Sequence, residues 1–510
     1  MSVSRPPRFS SPSLPLLVLA VALVSSCTPE PAPFPQATIV VDTDLPVPEL
    51  ASRLRVDIFD ARGTWRSSRD FTLRNAAAYP ASFSVFLPDE NAAGDVLVRL
   101  RIRPDGAERD YLGERHRPPA PSDAPPDAVL AVPAGDGQPR LVADGGEDKT
   151  PTTEPQPELT VDRLLLVRLE PGVADRTRVL LRGACMGRMA NLTERTSCID
   201  AEHLLDAAGQ GDGVADGSPS AAGSVLRRQA LEPPTLPAEA VPLRGGAFVL
   251  GGDELAVGVR ATDSAPSSPP RAVVVSGFAI DREEVSVARM RAAVASGFDV
   301  ERSLNAQTRP LGTSAADALA SCTYREAPDP ADPERESLPL TCVPFEVARG
   351  FCRRAGGDLP TEAQWEYAAA ASGRARKTRY PWGNGAPSCA GVVFARTDDP
   401  VAGATDCFER GFPFGLRGNA KATSDVTVDG VRGLAGAVSE WVRGAPFAYD
   451  SACYERAGLV DPTCEAPSPY RAVRGGSFNT SESALAGSAR LRLPAGGSTP
   501  TIGFRCAYGH

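Results

Sequence analysis

The residues in this chain best suited to chemistry are its cysteines and histidines. There are eleven cysteines but only three histidines, His116, His203 and His510. No pair of these histidines has the spacing of a metal site, so a zinc or non-haem iron centre built on histidine is not expected. We find no G-x-S-x-G sequence, no phosphate-binding loop, and no serine or cysteine nucleophile with a basic partner. Residue types and spacing therefore predict no catalytic residue.

The cysteine count points instead to disulfides. Without Cys27, ten cysteines remain, an even number that is typical of an exported, disulfide-bonded chain. Spacing favours four local pairs: Cys185–Cys198, Cys322–Cys342, Cys389–Cys407 and Cys453–Cys464. Cys352 and Cys506 are then left over. Spacing alone does not select this pairing, and the alternative is that several thiols stay free and buried.

Cys27 ends a predicted lipoprotein signal peptide over residues 1–27. Arg5 and Arg8 precede the apolar run Leu14–Val24, which is too short to span a bilayer. The run ends in Val-Ser-Ser-Cys, which resembles a bacterial lipobox and implies cleavage before Cys27 and attachment of lipid to its thiol. The alternative is an ordinary secretory signal with a chance cysteine.

The residues after Cys27 predict how the chain is held. Thr28, rather than aspartate, follows the lipidated position, which in Gram-negative lipoproteins is typical of an outer-membrane address. Residues 28–36 are proline-rich and predict a semi-extended tether. No later run is long and apolar enough to span a bilayer, so the lipid would be the only anchor. We therefore expect an exported protein on the periplasmic or surface face of the outer membrane.

The overall composition is that of a soluble globular protein. The chain has 510 residues, 42% of them hydrophobic and 23% charged. This length allows roughly two to four domains. The formal net charge of −9 argues against nucleic acid and against an anionic membrane surface as partners.

Residues 37–205 predict an all-β, sandwich-like domain. Along residues 96–103, Val98, Leu100 and Ile102 alternate with arginines, which predicts a half-buried antiparallel strand. Further strand candidates are Ala37–Val41, Leu54–Phe59, Ser82–Leu87, Leu164–Leu169 and Arg178–Leu181. Short strands between turn residues favour a β-sandwich. Residues 117–160, rich in Pro, Asp, Gly and Thr, predict a mobile loop or a division between two small domains.

After a predicted linker over residues 206–240, residues 241–510 form a second unit, dense in glycine and poor in helix. One helix is predicted over Val287–Ala295. The clearest local signal is GDLPTEAQWEYAAA, residues 357–370, in which Thr361 is an N-cap and Gln364 completes a capping box. The preceding helix, over residues 345–355, should end at the next two glycines. The two helices therefore meet at a tight corner.

This corner resembles the signature of the formylglycine-generating enzymes, also called sulfatase-modifying factors, whose pattern is close to G-x-R-L-P-T-E-A-E-W-E-Y-A. Other pieces that resemble family motifs are GGAFVLGG (245–252), SGFAIDREEVS (276–286), YPWGN (380–384), GLAGAVSEW (433–441), RGGSF (474–478) and GFRC (503–506). The resemblance covers residues 241–510 and implies a loop-rich fold related to C-type lectins, so the whole chain should be α+β. It also implies that Cys352 pairs with Cys506.

The resemblance weakens at the family's chemistry. The family's enzymes oxidise a cysteine of a sulfatase peptide to formylglycine, and they bind copper through two cysteine thiolates just after the GGS motif. Thiolates are the soft ligands that suit Cu(I). Here the corresponding residues 478–490 contain no cysteine, and none lies between Cys464 and Cys506. Copper is therefore not expected as a cofactor.

Calcium binding also has a family precedent. The family's G-N-V-W-E-W segment supplies an oxygen-rich metal site, and here residues 436–441 read GAVSEW. Ala437 removes a side-chain oxygen, whereas Glu440 and backbone carbonyls remain among the six to eight oxygens that calcium needs. The alternative for Glu440 is a buried hydrogen-bond acceptor.

The remaining motif residues have structural interpretations. Three tryptophans are expected in the core: Trp365, Trp382 and Trp441. Two glycines are expected to permit tight backbone turns: Gly475 and Gly476. Two arginines are expected to pair with internal carboxylates such as Glu366 or Glu440: Arg474 and Arg505.

Two classes of function follow. The first is a non-catalytic binding or scaffold module on a membrane-anchored lipoprotein, with a protein, peptide or glycan held by the loops of the lectin-like fold. The second is a formylglycine-generating oxidase that uses a non-standard copper site. The absent thiolates favour the first, and the sequence does not name the ligand, because a fold does not specify a function.

Overall fold

The structure is a computed structural model that describes residues 34–110, 147, 152–227, 236–252, 265–300, 322–416 and 424–509, without positions 62, 193, 201, 204–205, 210, 216, 329, 331, 375, 399 and 401–402. The predicted signal peptide, Cys27 and residues 28–33 of the tether lie outside the described residues. Among the residues that are described, no helix has the length and apolar character needed to cross a membrane.

The N-terminal half is built from short strands. They are β1 Gln36–Thr43, β2 Arg53–Asp60, β3 Trp65–Thr72, β4 Ala81–Phe86, β5 Gly94–Arg103, β6 Glu108–Asp110, β7 Thr153–Pro155, β8 Val161–Leu169, β9 Ala174–Leu181, β10 Thr196–Ser197 and β11 Asp206–Ala207. One sheet has the order β4-β1-β9, with β1 antiparallel to β4 and parallel to β9. A second, antiparallel sheet has the order β3-β2-β5-β8. Apolar side chains of both sheets share one buried cluster.

The arginine face of β5 is buried, which corrects the prediction of a half-buried strand. Arg99, Arg101 and Arg103 are 1%, 1% and 3% exposed. Arg99 pairs with Asp57 of β2 at 2.7 Å, and Arg101 pairs with Glu154 of β7. Asp57 from the adjacent strand β2 and Glu154 from β7, outside this sheet, therefore neutralise this face, as buried charges require.

Two predicted irregular segments are partly ordered. Residues 153–155, at the end of the predicted loop 117–160, form β7 and pair with β6, whereas most of that loop lies outside the described residues. Residues 206–227, expected to be linker, pack on the N-terminal sheets. The Ser220 hydroxyl donates to Asp42 at 3.0 Å, and the Val225 N–H donates to the Asp44 carbonyl at 3.0 Å. These hydrogen bonds satisfy polar groups that water would otherwise satisfy, so this segment is attached to the N-terminal sheets and is not a flexible linker.

The C-terminal half combines short strands, few helices and long packed loops. Its strands are β12 Ala240–Leu243, β13 Gly246–Leu250, β14 Arg271–Val275, β15 Phe278–Asp281, β16 Ser439–Trp441, β17 Tyr470–Arg474, β18 Leu491–Pro494, β19 Ile502–Gly503 and β20 Ala507–Tyr508. Its helices are α1 Val287–Ala295, α2 Phe345–Arg354, α3 Glu362–Glu366, α4 Asp406–Glu409 and α5 Ala452–Ala457. The sheets have the orders β12-β15-β20, β13-β14 and β18-β17-β16-β19.

The predicted corner is present between α2 and α3. Gly356 has φ +85° at the end of α2, and a Cβ on Gly357 would lie 2.2 Å from the Ala507 carbonyl oxygen. Thr361 caps α3, and both hydrogen bonds of its capping box with Gln364 are formed. A π-helical turn over Tyr367–Ala371 extends α3. The corner holds the glutamates of α3 in the protein interior, where the candidate site lies.

Candidate functional site

The stretch 478–490, where the resemblance places the family's copper chemistry, is packed by its own polar groups. Gly475 and Gly476 have φ of +91° and +67° at its entrance. The Ser477 N–H donates to the Thr480 hydroxyl at 2.9 Å, and the Ser477 hydroxyl donates to Asn479 at 2.6 Å. Because its hydroxyls, amides and carboxylates are hard ligands, the stretch does not fit Cu(I).

Every described cysteine is in a disulfide, so the described residues contain no free thiol. The pairs are Cys185–Cys198, Cys322–Cys342, Cys352–Cys506, Cys389–Cys407 and Cys453–Cys464. The Cys352–Cys506 bond joins α2 to the C-terminal end across a sequence separation of 154. Within the described part of the chain, no group of three or more His, Cys, Asp or Glu residues could hold a metal ion.

Two arginines enclose the carboxylate of Glu362, the first residue of α3. Arg490 donates to both of its oxygens at 2.6 Å, and Arg474 donates to Oε2 at 3.2 Å. The Tyr454 hydroxyl donates to Oε1 at 2.9 Å. Burial opposes ionisation of Glu362, but the two guanidinium groups outweigh it and hold the pKa of this carboxyl below its ordinary value. Glu362 is therefore a buried anion with a full set of partners.

Arg474 links this anion to Glu366, one turn further along. Arg474 Nη1 donates to Glu366 Oε2 at 2.9 Å, as expected for an arginine paired with an internal carboxylate. The other oxygen of Glu366 accepts from Lys377 Nζ at 2.5 Å and from the Gly251 N–H at 2.8 Å. Sequence reasoning missed Arg490 and Lys377 because both lie outside the motifs. The available signal was that α3 carries two buried glutamates one turn apart, Glu362 and Glu366, which require cationic partners.

Glu440 is the acceptor of a second buried cluster. Arg505 donates to its two oxygens at 2.6 and 2.8 Å, and Trp365 Nε1 donates to Oε2 at 2.8 Å. A cation at Glu440 would have to compete with the charge of Arg505. Ala437, with φ +54°, supplies no side-chain oxygen. The groups around Glu440 are N–H donors rather than the six to eight oxygens that calcium needs. They suit Glu440 as a hydrogen-bond acceptor and do not fit a calcium site.

Two further buried carboxyls, Glu284 and Asp425, surround Arg505 and were not singled out from the sequence. Glu284 Oε2 lies 3.9 Å from Arg505 Nη2, and Asp425 Oδ2 accepts from the Ala435 N–H at 2.7 Å. Glu284 Oε1 and Asp425 Oδ1 have no hydrogen-bond partner among the described residues. Burial raises the pKa of Glu284 to about 8 and the pKa of Asp425 to about 7. Both carboxyls are therefore substantially protonated at neutral pH.

The three motif tryptophans do not share one environment. Trp365 and Trp441 are 0% exposed, and Trp441 Nε1 donates to the Val343 carbonyl at 2.7 Å. Trp382 is half-buried and packs against the edge of the buried core cluster rather than inside it. It stacks on Tyr380 with ring centroids 4.9 Å apart, and its indole N–H donates to the Gly385 carbonyl. An indole with one satisfied N–H and one stacked face can leave its edge in water.

Comparison with known proteins places these motifs in a family. Residues 228–509 match FGE-sulfatase, the sulfatase-modifying factor enzyme 1-like domain. The chain is 31% identical over 298 residues to the formylglycine-generating enzyme of Thermomonospora curvata, covering 52% of this chain and 92% of that protein. It is 26% identical over 301 residues to the bovine (Bos taurus) formylglycine-generating enzyme, covering 54% and 76%.

Matches also occur to proteins with other names. The chain is 28% identical over 180 residues to the serine/threonine-protein kinase pkn1 of Chlamydia caviae, covering 35% of this chain and 25% of that protein. Among solved structures, PvdO from Pseudomonas aeruginosa aligns with 55% of this chain and 99% of its own at a TM-score of 0.39 and 21% identity. On the family match and the 31% relative, this chain belongs to the FGE-sulfatase family of sulfatase-modifying factor enzyme 1-like domains.

Proposed function

We propose that this chain is an exported lipoprotein whose family domain does not oxidise cysteine but serves as a binding or scaffold module. The observation that carries this proposal is the pairing of all ten cysteines from Cys185 to Cys506 in disulfides, with none in residues 465–505. An oxidase of this family needs soft ligands for Cu(I). A disulfide sulfur is not a thiolate, and the thiolate is the form of cysteine that binds metals.

The architecture supports a binding role. Buried ion pairs at Glu362 and Glu440 hold the motif residues in place without a metal. We propose that the domain has the lectin-like fold of its family, that its loops hold a protein, peptide or glycan, and that residues 37–205 form a β-sandwich beside it. The match to a protein named as a kinase supports the view that such a segment serves proteins of different activity.

The competing proposal is a formylglycine-generating oxidase with a non-standard copper site. The identity to proteins named formylglycine-generating enzyme favours it. It would require copper ligands other than paired thiolates, or reduction of one disulfide. Residues 478–490 offer hard ligands to the first route, and the second route starts from cysteines that are all in disulfides.

Copper titration separates the two proposals. The oxidised protein is titrated with Cu(I) against a chromophoric chelator, with the Thermomonospora curvata enzyme as a positive control. We expect no copper bound by the protein while the control competes with the chelator. Binding of one Cu(I) per chain, retained after the free thiols are blocked, would contradict the proposal.

We also propose that lipid on Cys27 anchors the protein to the outer membrane. The basic residues, the apolar run and the lipobox-like sequence stand in the order that such processing needs. Labelled palmitate should be incorporated into the wild-type chain, and Cys27→Ser should move the protein from the membrane fraction to the soluble fraction. A wild-type chain that takes up no label would overturn this part of the proposal.

A further inference from the structure

A cavity of about 630 Å³ lies where the two halves of the chain meet. The N-terminal half contributes the turn over residues 183–188, with Glu158 and Val225. The C-terminal half contributes residues 269–272 and the segment 455–460. A cavity of this size accommodates a small molecule or the end of a peptide.

Both walls are held rigidly. The turn 183–188 contains Cys185, whose disulfide to Cys198 closes it. The opposite wall follows α5 and is closed by Cys453–Cys464. The two walls also approach each other closely, because a Cβ on Gly183 would lie 2.8 Å from Leu459 Cδ2. Binding would therefore require little ordering of the protein, which favours affinity.

Three arginines line this cavity: Arg456 is exposed, whereas Arg188 and Arg271 are partly buried and have no ion-pair partner among the described residues. Arg271 donates to the Gly458 carbonyl at 2.9 Å and weakly to the Tyr449 carbonyl at 3.4 Å, while its Nε has no partner. Arg188 has no side-chain hydrogen bond or ion pair to the residues that the structure describes. A guanidinium has five N–H donors, so both side chains keep donors free for a ligand.

Without a ligand, the positive charge of Arg271 is unfavourable in its surroundings. Burial lowers the pKa of Arg271, Glu455 partly opposes this effect, and the charge of Arg188 lowers the pKa further. Glu455 acts from a distance, because it is exposed and no carboxylate of the described residues lies within 4.0 Å of the Arg271 guanidinium. A partly buried cation next to a like charge is stabilised by an anion placed between them.

We propose that this cavity is a binding site for a ligand with a terminal oxyanion, a carboxylate or a phosphate, held by Arg188 and Arg271. Both chemistries suit the planar fork of arginine, which donates two parallel hydrogen bonds. The apolar body of the ligand would lie against Val225, Leu459 and Val460. This site does not depend on whether the family domain is an oxidase.

The carboxylates of the lining restrict the ligand further. Asp44 and Glu158 lie on the N-terminal wall, and Asp450 and Glu455 lie on the other. The Gly183 N–H already donates to Asp44 at 2.6 Å. A polyanion would be repelled by these groups, whereas a ligand with one oxyanion and a neutral or cationic remainder would not.

Calorimetry on the full-length chain in non-ionic detergent tests the site. The probes are inorganic phosphate, N-acetyl-dialanine with a free carboxylate, and the same dipeptide as its C-terminal amide, all at constant ionic strength. The wild type should bind phosphate, the carboxylate or both, and it should not bind the amide. Binding of one probe alone names the source of the oxyanion.

Three variants with the same loss of charge give the decisive comparison. Arg188→Gln and Arg271→Gln should each weaken binding roughly 10- to 100-fold, the range for a hydrogen bond to a charged group. Arg69→Gln, at an exposed position on β3, should bind as the wild type does. Because Arg188 has no described partner, Arg188→Gln should fold normally even if Arg271→Gln does not. Absence of binding by both anions, or wild-type affinity in Arg188→Gln, would overturn the proposal.

Discussion

Replacing Glu284 by glutamine should make the protein more stable at alkaline pH. The Glu284 carboxyl is buried, Arg505 lies 3.9 Å from one oxygen, and the other oxygen has no hydrogen-bond partner among the described residues. Burial raises its pKa from the ordinary 4.5 to about 8, and the nearby Glu440 and Asp425 carboxyls add to this rise against the pull of Arg505. The folded chain therefore keeps a proton that the unfolded chain releases.

The direction of the pH dependence follows from this difference. Between about pH 4.5 and pH 8, the folded state binds more protons than the unfolded state, so the free energy of unfolding falls as the pH rises. A difference of one pKa unit corresponds to about 1.36 kcal/mol. The rise from 4.5 to about 8 therefore lowers the free energy of unfolding by at most on the order of 5 kcal/mol across this pH range. Asp425, with a pKa of about 7, adds a loss of the same sign. Glutamine has the shape of the protonated acid and does not titrate.

The assay is urea unfolding from about pH 5 to about pH 9 with the disulfides intact. We expect Glu284→Gln to match the wild type near pH 5, to exceed it by several kcal/mol near pH 9, and to keep the smaller slope that Asp425 supplies. Glu440→Gln is the matched control and should be less stable than the wild type across this range, because it breaks the buried ion pair with Arg505. A Glu284→Gln variant with the wild-type slope would refute the reasoning.

Three further predictions concern the scaffold. Replacing Cys352 and Cys506 by serine should lower the melting temperature, with an entropic upper figure of about 5 kcal/mol for the long loop; non-reducing peptide mapping that finds both thiols free would contradict the bond. Glu362→Gln should destabilise the protein by about 3–5 kcal/mol, because it leaves two buried arginines short of an anion, and urea midpoints equal to those of the wild type would refute this. Limited proteolysis should cut inside the predicted loop 117–160 ahead of the corner, and early cuts inside 357–382 would contradict the tight packing of the corner.

The corner between α2 and α3 could be predicted because its signals are local. Thr361 and Gln364 are three residues apart, and their reciprocal hydrogen bonds need no other part of the chain. The predicted helix over Val287–Ala295 is also capped locally, because the Ser286 hydroxyl accepts from the Arg289 N–H as an N-cap does. The family motifs, which are also local, were sufficient to predict the family of residues 241–510.

The buried polar face of β5 could not be predicted in this way. Alternating arginines have the same pattern on a solvent face and on a face covered by carboxylates, and only the approach of Asp57 and Glu154 decides between them. The same holds for Glu284 and Asp425, which are far apart in sequence and meet around Arg505. The cavity with Arg188 and Arg271 depends on the contact between two halves of the chain, which no local pattern encodes.

The conversion of a substrate peptide tests the central claim most directly. The purified oxidised chain is supplied with Cu(I), oxygen and a sulfatase-type Cys-x-Pro-x-Arg peptide, and the peptide mass is followed beside the Thermomonospora curvata enzyme and a metal-free control. We predict an unchanged peptide with this chain and conversion to formylglycine by the control enzyme. Formylglycine formed by this chain above the metal-free control would contradict the account of a binding module without oxidase chemistry.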